Sequence, residues 1–250
     1  MAQHQPCAAR VFRAARTPMK AAARFQKLRW RLKRLQAMPP GEIVWRAGIA
    51  LQDALAAPRY ANRPMDVTAR VLDSRLAGLR FDGRRTGLRL DLDGGRVGTA
   101  TLPVYQQGWP VVYAPRLAFR GQSEIGDARL AWEAHRHLVF PLLAQNYRIT
   151  GDPRHLDTLA LLLANWTREN PYRRGIAWVS AMEVAIRAYS WMAAMAFLPD
   201  DPRAGPCRER LRTGVLNMIP YVASRRARYS SANNHLVVEM MAVGVAGFAF

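Results

Sequence analysis

From Asp127 to Phe250 one pattern recurs: roughly 15 to 25 residues with apolar side chains every three or four positions, then a few residues that break a helix. Asp127 suits an N-cap for a helix through Trp132, Leu138, Leu142 and Tyr147 to Thr150. Gly151-Asp152-Pro153 ends it and starts the next, through Leu156, Leu159, Leu163 and Trp166 to Asn170-Pro171. A third is predicted over 180–198, ahead of Pro199-Asp200-Asp201-Pro202, and a fourth over 203–228. A fifth, 234–250, is apolar nearly all round and so is expected to be an inner helix. Helices of this length joined by short turns must pack as antiparallel pairs, in a bundle, a solenoid or a closed ring of hairpins. No fixed-period repeat is legible, which counts against a tandem-repeat array.

The remainder divides into a basic helical lead-in over 1–60 and an irregular segment with short strands over 61–120, ahead of the helical part at 121–250. Pro39-Pro40-Gly41 breaks the lead-in, and Glu42 to Leu55 can restart a helix behind it. Leu88-Arg89-Leu90-Asp91-Leu92 alternates as a strand does, among glycines at 83, 87, 94, 95 and 98. The chain stops inside the apolar run Val243–Phe250 with no polar tail, which reads as a fragment.

Charge narrows the partners. The chain carries 37 basic and 18 acidic residues, a net +19, and 34 of the basic residues are arginines. Up to Arg46 there are eleven basic residues and one acid, Glu42. Residues 8–36 place Val11, Phe12, Ala15, Met19, Ala22, Phe25, Leu28, Leu32 and Leu35 at helical spacing among these charges. Three readings fit: a solvated basic face, peripheral contact with an anionic membrane, or nucleic-acid binding. No zinc knuckle or RNP-type aromatic cluster supports the last, so no nucleic acid is expected. Mean hydropathy is −0.16, and no apolar run approaches the ~20 residues a membrane-crossing helix needs. Charges interrupt every apolar stretch before Met38, so no secretory signal is visible. Cys7 and Cys207 lie in no disulfide or metal spacing, so neither a disulfide framework nor a metal site is expected.

Three clusters could carry chemistry. Trp178-Val179-Ser180-Ala181-Met182-Glu183 continues to Arg187, which stands one turn past Glu183 and can pair with it, while Ser180 suits a cap. Ser230-Ser231-Ala232-Asn233-Asn234-His235 opens the fifth helix, with Glu239 one turn beyond His235. A helix N-terminus there offers free N–H donors to a carboxylate, or Asn233 simply caps it and Glu239 satisfies the histidine. His135 and His137, two apart, do not share a helix face and are expected to be scaffold; Glu133 can pair with Arg136 or His137. Phosphate-loop, serine-elbow and zinc-protease motifs are not found.

In order, Gly126-Asp127, Trp132-Glu133, Arg136, Thr150-Gly151-Asp152, Trp166, Asn170-Pro171, Gly175, Trp178, Met182-Glu183, Ala185, Arg187, Asn233-Asn234-His235 and Glu239 resemble the heparinase II/III-type polysaccharide lyases. The resemblance covers about 120–250; Leu35, Met38-Pro39 and Glu42 to Arg46 are similar to the lead-in of such chains. It implies a mainly α, incomplete (α/α) toroid of helical hairpins with a short irregular or β segment near 65–118, lacking the antiparallel β-sandwich that normally follows. The implied reaction is β-elimination on a uronate-containing acidic polysaccharide, with no cofactor.

By resemblance Asn234 and His235 neutralise the uronate carboxylate, and Asn233 orients them or caps the helix. Trp178, Glu183, Arg187 and Glu239 line or brace the sugar cleft. The catalytic tyrosine is expected beyond Phe250, not at Tyr221 or Tyr229, so the chain alone is expected to be inactive. A periplasmic or secreted location is implied, with the cytoplasm left open by the missing signal. Two alternatives stand beside this: a non-catalytic Arg-rich module binding acidic polymers, and a structural protein docked on a membrane by its basic N-terminus.

Overall fold

The computed structural model describes residues 16–60, 87–93, 96–101, 108–119 and 125–250. The expectations for residues 8–15, and for the parts of the irregular segment at 61–86, 94–95, 102–107 and 120–124, lie outside these. Two compact units divide the chain, Met1–Ala50 and Leu51–Phe250. In the first, α1 (Arg16–Gln36) ends at the predicted break, and α2 (Pro40–Tyr60) starts behind Pro39 and runs on into the second. Glu42, buried in the first turn of α2, accepts both Nε and Nη2 of Arg46 one turn on, at 2.9 and 2.7 Å.

In the second unit the alternating segment forms an antiparallel hairpin, β1 (Gly87–Asp93) with β2 (Arg96–Thr101), Leu90 opposite Gly98 and an irregularity at Asp91/Asp93. Among the described residues the other regular elements are helical. Helices α3 (Ala128–His135), α4 (Val139–Thr150), α5 (Pro153–Glu169), α6 (Ala181–Phe197), α7 (Gly205–Arg225) and α8 (Asn234–Ala249) follow in order. The turn chemistry is as expected. Asp127 accepts from the Arg129 N–H, Gly151 closes α4 at φ 68°, and Asp152 caps α5. The short connections reverse the chain each time, so α4, α6 and α8 run one way and α5 and α7 the other.

One expected helix is two. The run predicted from Asp127 to Thr150 breaks at Arg136–Leu138, because His137 takes a left-handed conformation, φ 56°. No glycine or proline marks the break. It is held by packing: the His137 ring stacks on Phe140 at 4.4 Å and accepts the Trp191 indole N–H at 2.8 Å on Nδ1. A residue two positions away then also faces inward. His135 Nδ1 accepts the Trp166 indole N–H at 2.9 Å, so both histidines are scaffold, as expected, but in the interior.

The inner helix is α6, not α8. It packs against α3, α4, α7 and α8, and nine of its residues are buried, Trp191 among them. Of α8 only Glu239, Ala242 and Ala246 are buried, while Phe248 is 96% exposed. Contacts on one side, to α6 and α7, set that burial; apolar composition did not.

The core is built on aromatic rings. Trp166 meets Trp191 edge-on at 5.5 Å and Trp178 at 6.3 Å, and Trp178 meets Tyr221 at 5.4 Å. The Trp191 ring lies against α7 at Gly214, where a Cβ would stand 2.7 Å from Trp191 Cε3 and closer still to Cζ3. Alanine gains about 1 kcal/mol over glycine inside a helix. Here the clash decides the sign, because Phe140, His137 and Trp166 hem the indole in. Gly214→Ala is expected to destabilise the protein by about 2 kcal/mol and lower Tm by ~4–8 °C in a thermal melt.

Candidate functional site at one end of the helical hairpins

The antiparallel order brings the C-terminal ends of α5 and α7 and the N-terminal ends of α6 and α8 to the same end of the unit. The seven candidate site residues lie towards that end. Two groups result, one buried and one at the surface.

The buried group centres on Arg187, fully enclosed on α6. Its Nη1 donates to the His135 carbonyl at 3.3 Å and its Nη2 to the Ala177 carbonyl at 3.1 Å. The guanidinium carbon sits 4.6 Å from the Trp166 ring centroid and 5.1 Å from that of Trp178. Burial pulls its pKa down to about 9, against the opposing effect of Glu183. The Glu183–Arg187 pairing open to a regular helix is not the one used. The buried Glu183 carboxylate instead accepts Arg136 Nε at 2.7 Å and Nη2 at 3.1 Å. Arg136 also pairs with Glu133, and its pKa is raised chiefly by the Glu183 bond. The break after α3 points Arg136 across to α6, so the two ends are clamped by a bidentate pair rather than by an intrahelical one.

Trp178 is also interior, in a 3₁₀ turn at Ile176–Trp178. Its indole N–H donates to the Asn170 carbonyl at 3.4 Å, and its own carbonyl accepts the Tyr221 hydroxyl. Burial raises the Tyr221 pKa, keeping the phenol protonated. Ser180 occupies the N-cap of α6 without a side-chain cap bond. Glu239 faces inward from α8, accepting the Ala227 N–H and so tying the loop after α7 to α8. Burial raises its pKa, against the pull of that N–H and of His235.

The surface group is Asn233, Asn234 and His235. Asn233 is the N-cap of α8, accepting the His235 N–H at 3.0 Å, which leaves the side chains of Asn234, exposed, and His235, half-buried, beside it. The loop leading there carries the half-buried Arg226 and Arg228, and Tyr229 at φ 53°. Of the seven residues, then, the structure sets three at the surface and encloses Trp178, Glu183, Arg187 and Glu239.

The segment before α3 belongs to this end too, which sequence reasoning missed. Ala114 N–H donates to the Arg173 carbonyl and Gly175 N–H to the Val112 carbonyl, both at 2.8 Å, while Trp109 and Leu117 pack with Ala131 and Ile176. Asp53 accepts the Tyr113 hydroxyl at 3.2 Å and pairs with Arg225, whose guanidinium lies 5.1 Å from the Tyr221 ring centroid. These pairs join positions far apart in sequence and leave no local signal. The apolar run from Trp109 through Val111-Val112-Tyr113-Ala114 is the one local feature that marks this segment. A groove of about 500 Å³, lined by Pro153, Leu156, Asp157, Pro202, Arg203 and Pro206, lies at the other end of the hairpins, away from this chemistry. No cluster of histidine, cysteine or carboxylate side chains among the described residues could hold a metal.

The histidine interior carries a pH prediction. Burial, then Arg187 and His135, hold the His137 pKa well below 6.5, and Nδ1 cannot accept the indole N–H if the ring is doubly protonated. The unfolded chain takes up that proton below about pH 6.5 and the native one does not, so stability present above that pH is lost as pH falls. The expected loss is up to about 1.4 kcal/mol per pH unit. Denaturant midpoints across acid pH should show it, and His137→Asn, which keeps an acceptor and tolerates a left-handed backbone, should flatten it.

A helical-hairpin unit with one chemically equipped end, preceded by a β-hairpin and a docked extended segment, defines a mainly α protein built as a portion of an (α/α) toroid. The model of the heparinase II/III N-terminus family matches residues 108–250, more than half the chain, and the protein belongs to that family. Its start at residue 108 coincides with the Trp109–Leu117 segment that docks on the site end. Membership relates the chain to polysaccharide lyases. No curated protein and no solved structure matches it.

Proposed function

We propose that this chain supplies the helical part of a polysaccharide lyase that cleaves a uronate-containing glycan by β-elimination. The observation that carries the reading is the N-terminus of α8. Asn233 is spent on capping, so the Asn234 amide and the His235 imidazole are left at the surface, behind a loop bearing Arg226 and Arg228.

The chemistry asks for such a place. Removing the C5 proton next to an ionised carboxylate puts further negative charge on that group, and the C4–O bond breaks only as that charge is relayed into a C4=C5 double bond. Donors aimed at the carboxylate neutralise it beforehand and hold the charge in the intermediate. The Asn234 side-chain amide and the His235 imidazole N–H act as these donors, helped by the positive end of the α8 dipole. Trp178, Glu183, Arg187 and Glu239 brace the end that presents them. Tyr221 is no candidate for the base, since its buried hydroxyl donates to the Trp178 carbonyl.

The test is ultraviolet absorbance of the unsaturated uronate product, with the complete gene product offered heparan sulfate, alginate and other polyuronates. A rising signal on at least one polymer supports the reading and names the substrate. Silence on all of them, with salt-sensitive binding retained, would replace it with a non-catalytic module for acidic polymers.

A further inference from the structure

The helix α1 carries a surface that the lyase reading does not use. Along its described side chains Phe25, Leu28, Leu32 and Leu35 are 73, 53, 54 and 48% exposed. Their spacing of three and four places them on one face. At about 100° per residue, Arg29 and Arg31 stand on either side of that stripe. Over its whole length α1 has eight basic residues and no acid.

We propose that α1 is a docking helix for an anionic phospholipid bilayer, lying in the plane of the interface with the Phe25–Leu35 stripe in the acyl boundary and Arg29 and Arg31 on the headgroups. Both halves of the surface select this partner. A nucleic acid or an acidic glycan would answer the charge but leave four large apolar side chains in water. A second copy of α1 would cover the stripe but bring two helices of eight like charges together. An anionic bilayer accepts apolar and basic faces at once, and each basic residue near such a surface adds to the attraction. No described helix is long and apolar enough to cross a membrane, so α1 would lie on the bilayer.

The experiment is co-sedimentation of the full chain with vesicles of phosphatidylcholine alone and of phosphatidylcholine mixed with phosphatidylglycerol. The mixed vesicles are expected to carry the protein down and the neutral ones to leave it in solution. Leu28→Ser/Leu32→Ser keeps every charge and is expected to weaken binding by about tenfold or more, since each leucine withdrawn from the acyl boundary removes a transfer free energy of that order. Arg29→Gln/Arg31→Gln is expected to weaken it as well. Both pairs are solvent-exposed, and circular dichroism checks that the helices persist. No binding to the mixed vesicles overturns the proposal. So does binding that the serine variant leaves unchanged, as a site for a nucleic acid or glycan would show. A wild-type dimer that the serine variant converts to monomer would assign the stripe to self-association instead. None of these outcomes depends on lyase activity.

Discussion

Arg187→Ala is expected to cost the helical unit about 4 kcal/mol and to lower Tm by roughly 8–16 °C. The side chain is fully buried, so truncation leaves a cavity the size of its stem and guanidinium between Trp166 and Trp178. The His135 and Ala177 carbonyls lose a donor, at about 1 kcal/mol or more each. One term runs the other way: the depressed pKa reports that the charge is costly to bury, and removing it recovers part of that cost. Arg187→Met separates the contributions. It refills the space without the charge, and is expected to recover about half of the loss if the carbonyl bonds matter. A methionine variant as stable as the wild type would reduce Arg187 to a space-filling residue. Thermal unfolding followed by circular dichroism reads all three proteins.

Under the proposed function, Asn234→Ala is expected to reduce turnover by about 10²- to 10³-fold, the usual consequence of losing one donor to a developing oxyanion. Its stability is expected to stay within about 0.5 kcal/mol, because Asn234 is exposed and makes no described cap bond. Asn233→Ala is the counterpart. It removes the acceptor of the His235 N–H and is expected to cost about 1 kcal/mol of stability. If activity follows the cap rather than the neighbour, so that Asn233→Ala is inactive and Asn234→Ala is not, the assignment of roles at this helix end is reversed. Wild-type activity in both variants would remove the helix end from the reaction.

What could be read from residues alone follows one physical rule: signals spanning less than a turn or two survive without a tertiary context. Asp127, Gly151, Asp152 and the proline-bearing turns at 170–171 and 199–202 set helix boundaries because capping and left-handed geometry are local. The alternation at 88–92 marked a strand for the same reason. The capping role open to Asn233 was visible in the motif itself.

Tertiary structure decided the rest. His137 takes a left-handed backbone that its sequence does not favour, because stacking on Phe140 and the bond from Trp191 repay the strain, and this break turns both histidines inward. Glu183 had two arginine partners in reach in principle. The break also aims Arg136 at it, leaving Arg187 to two carbonyls and two indoles. Apolar composition suggested an inner α8, but burial depends on how many neighbours surround a helix, and α6 holds that place. The sequence by itself determined the helix boundaries that carry a capping residue, a glycine or a proline turn, and which residue types stand there. Only the packed structure decided which of those side chains face the interior, since that depends on partners 40 to 60 residues away, such as Arg136 for Glu183 and Tyr113 for Asp53.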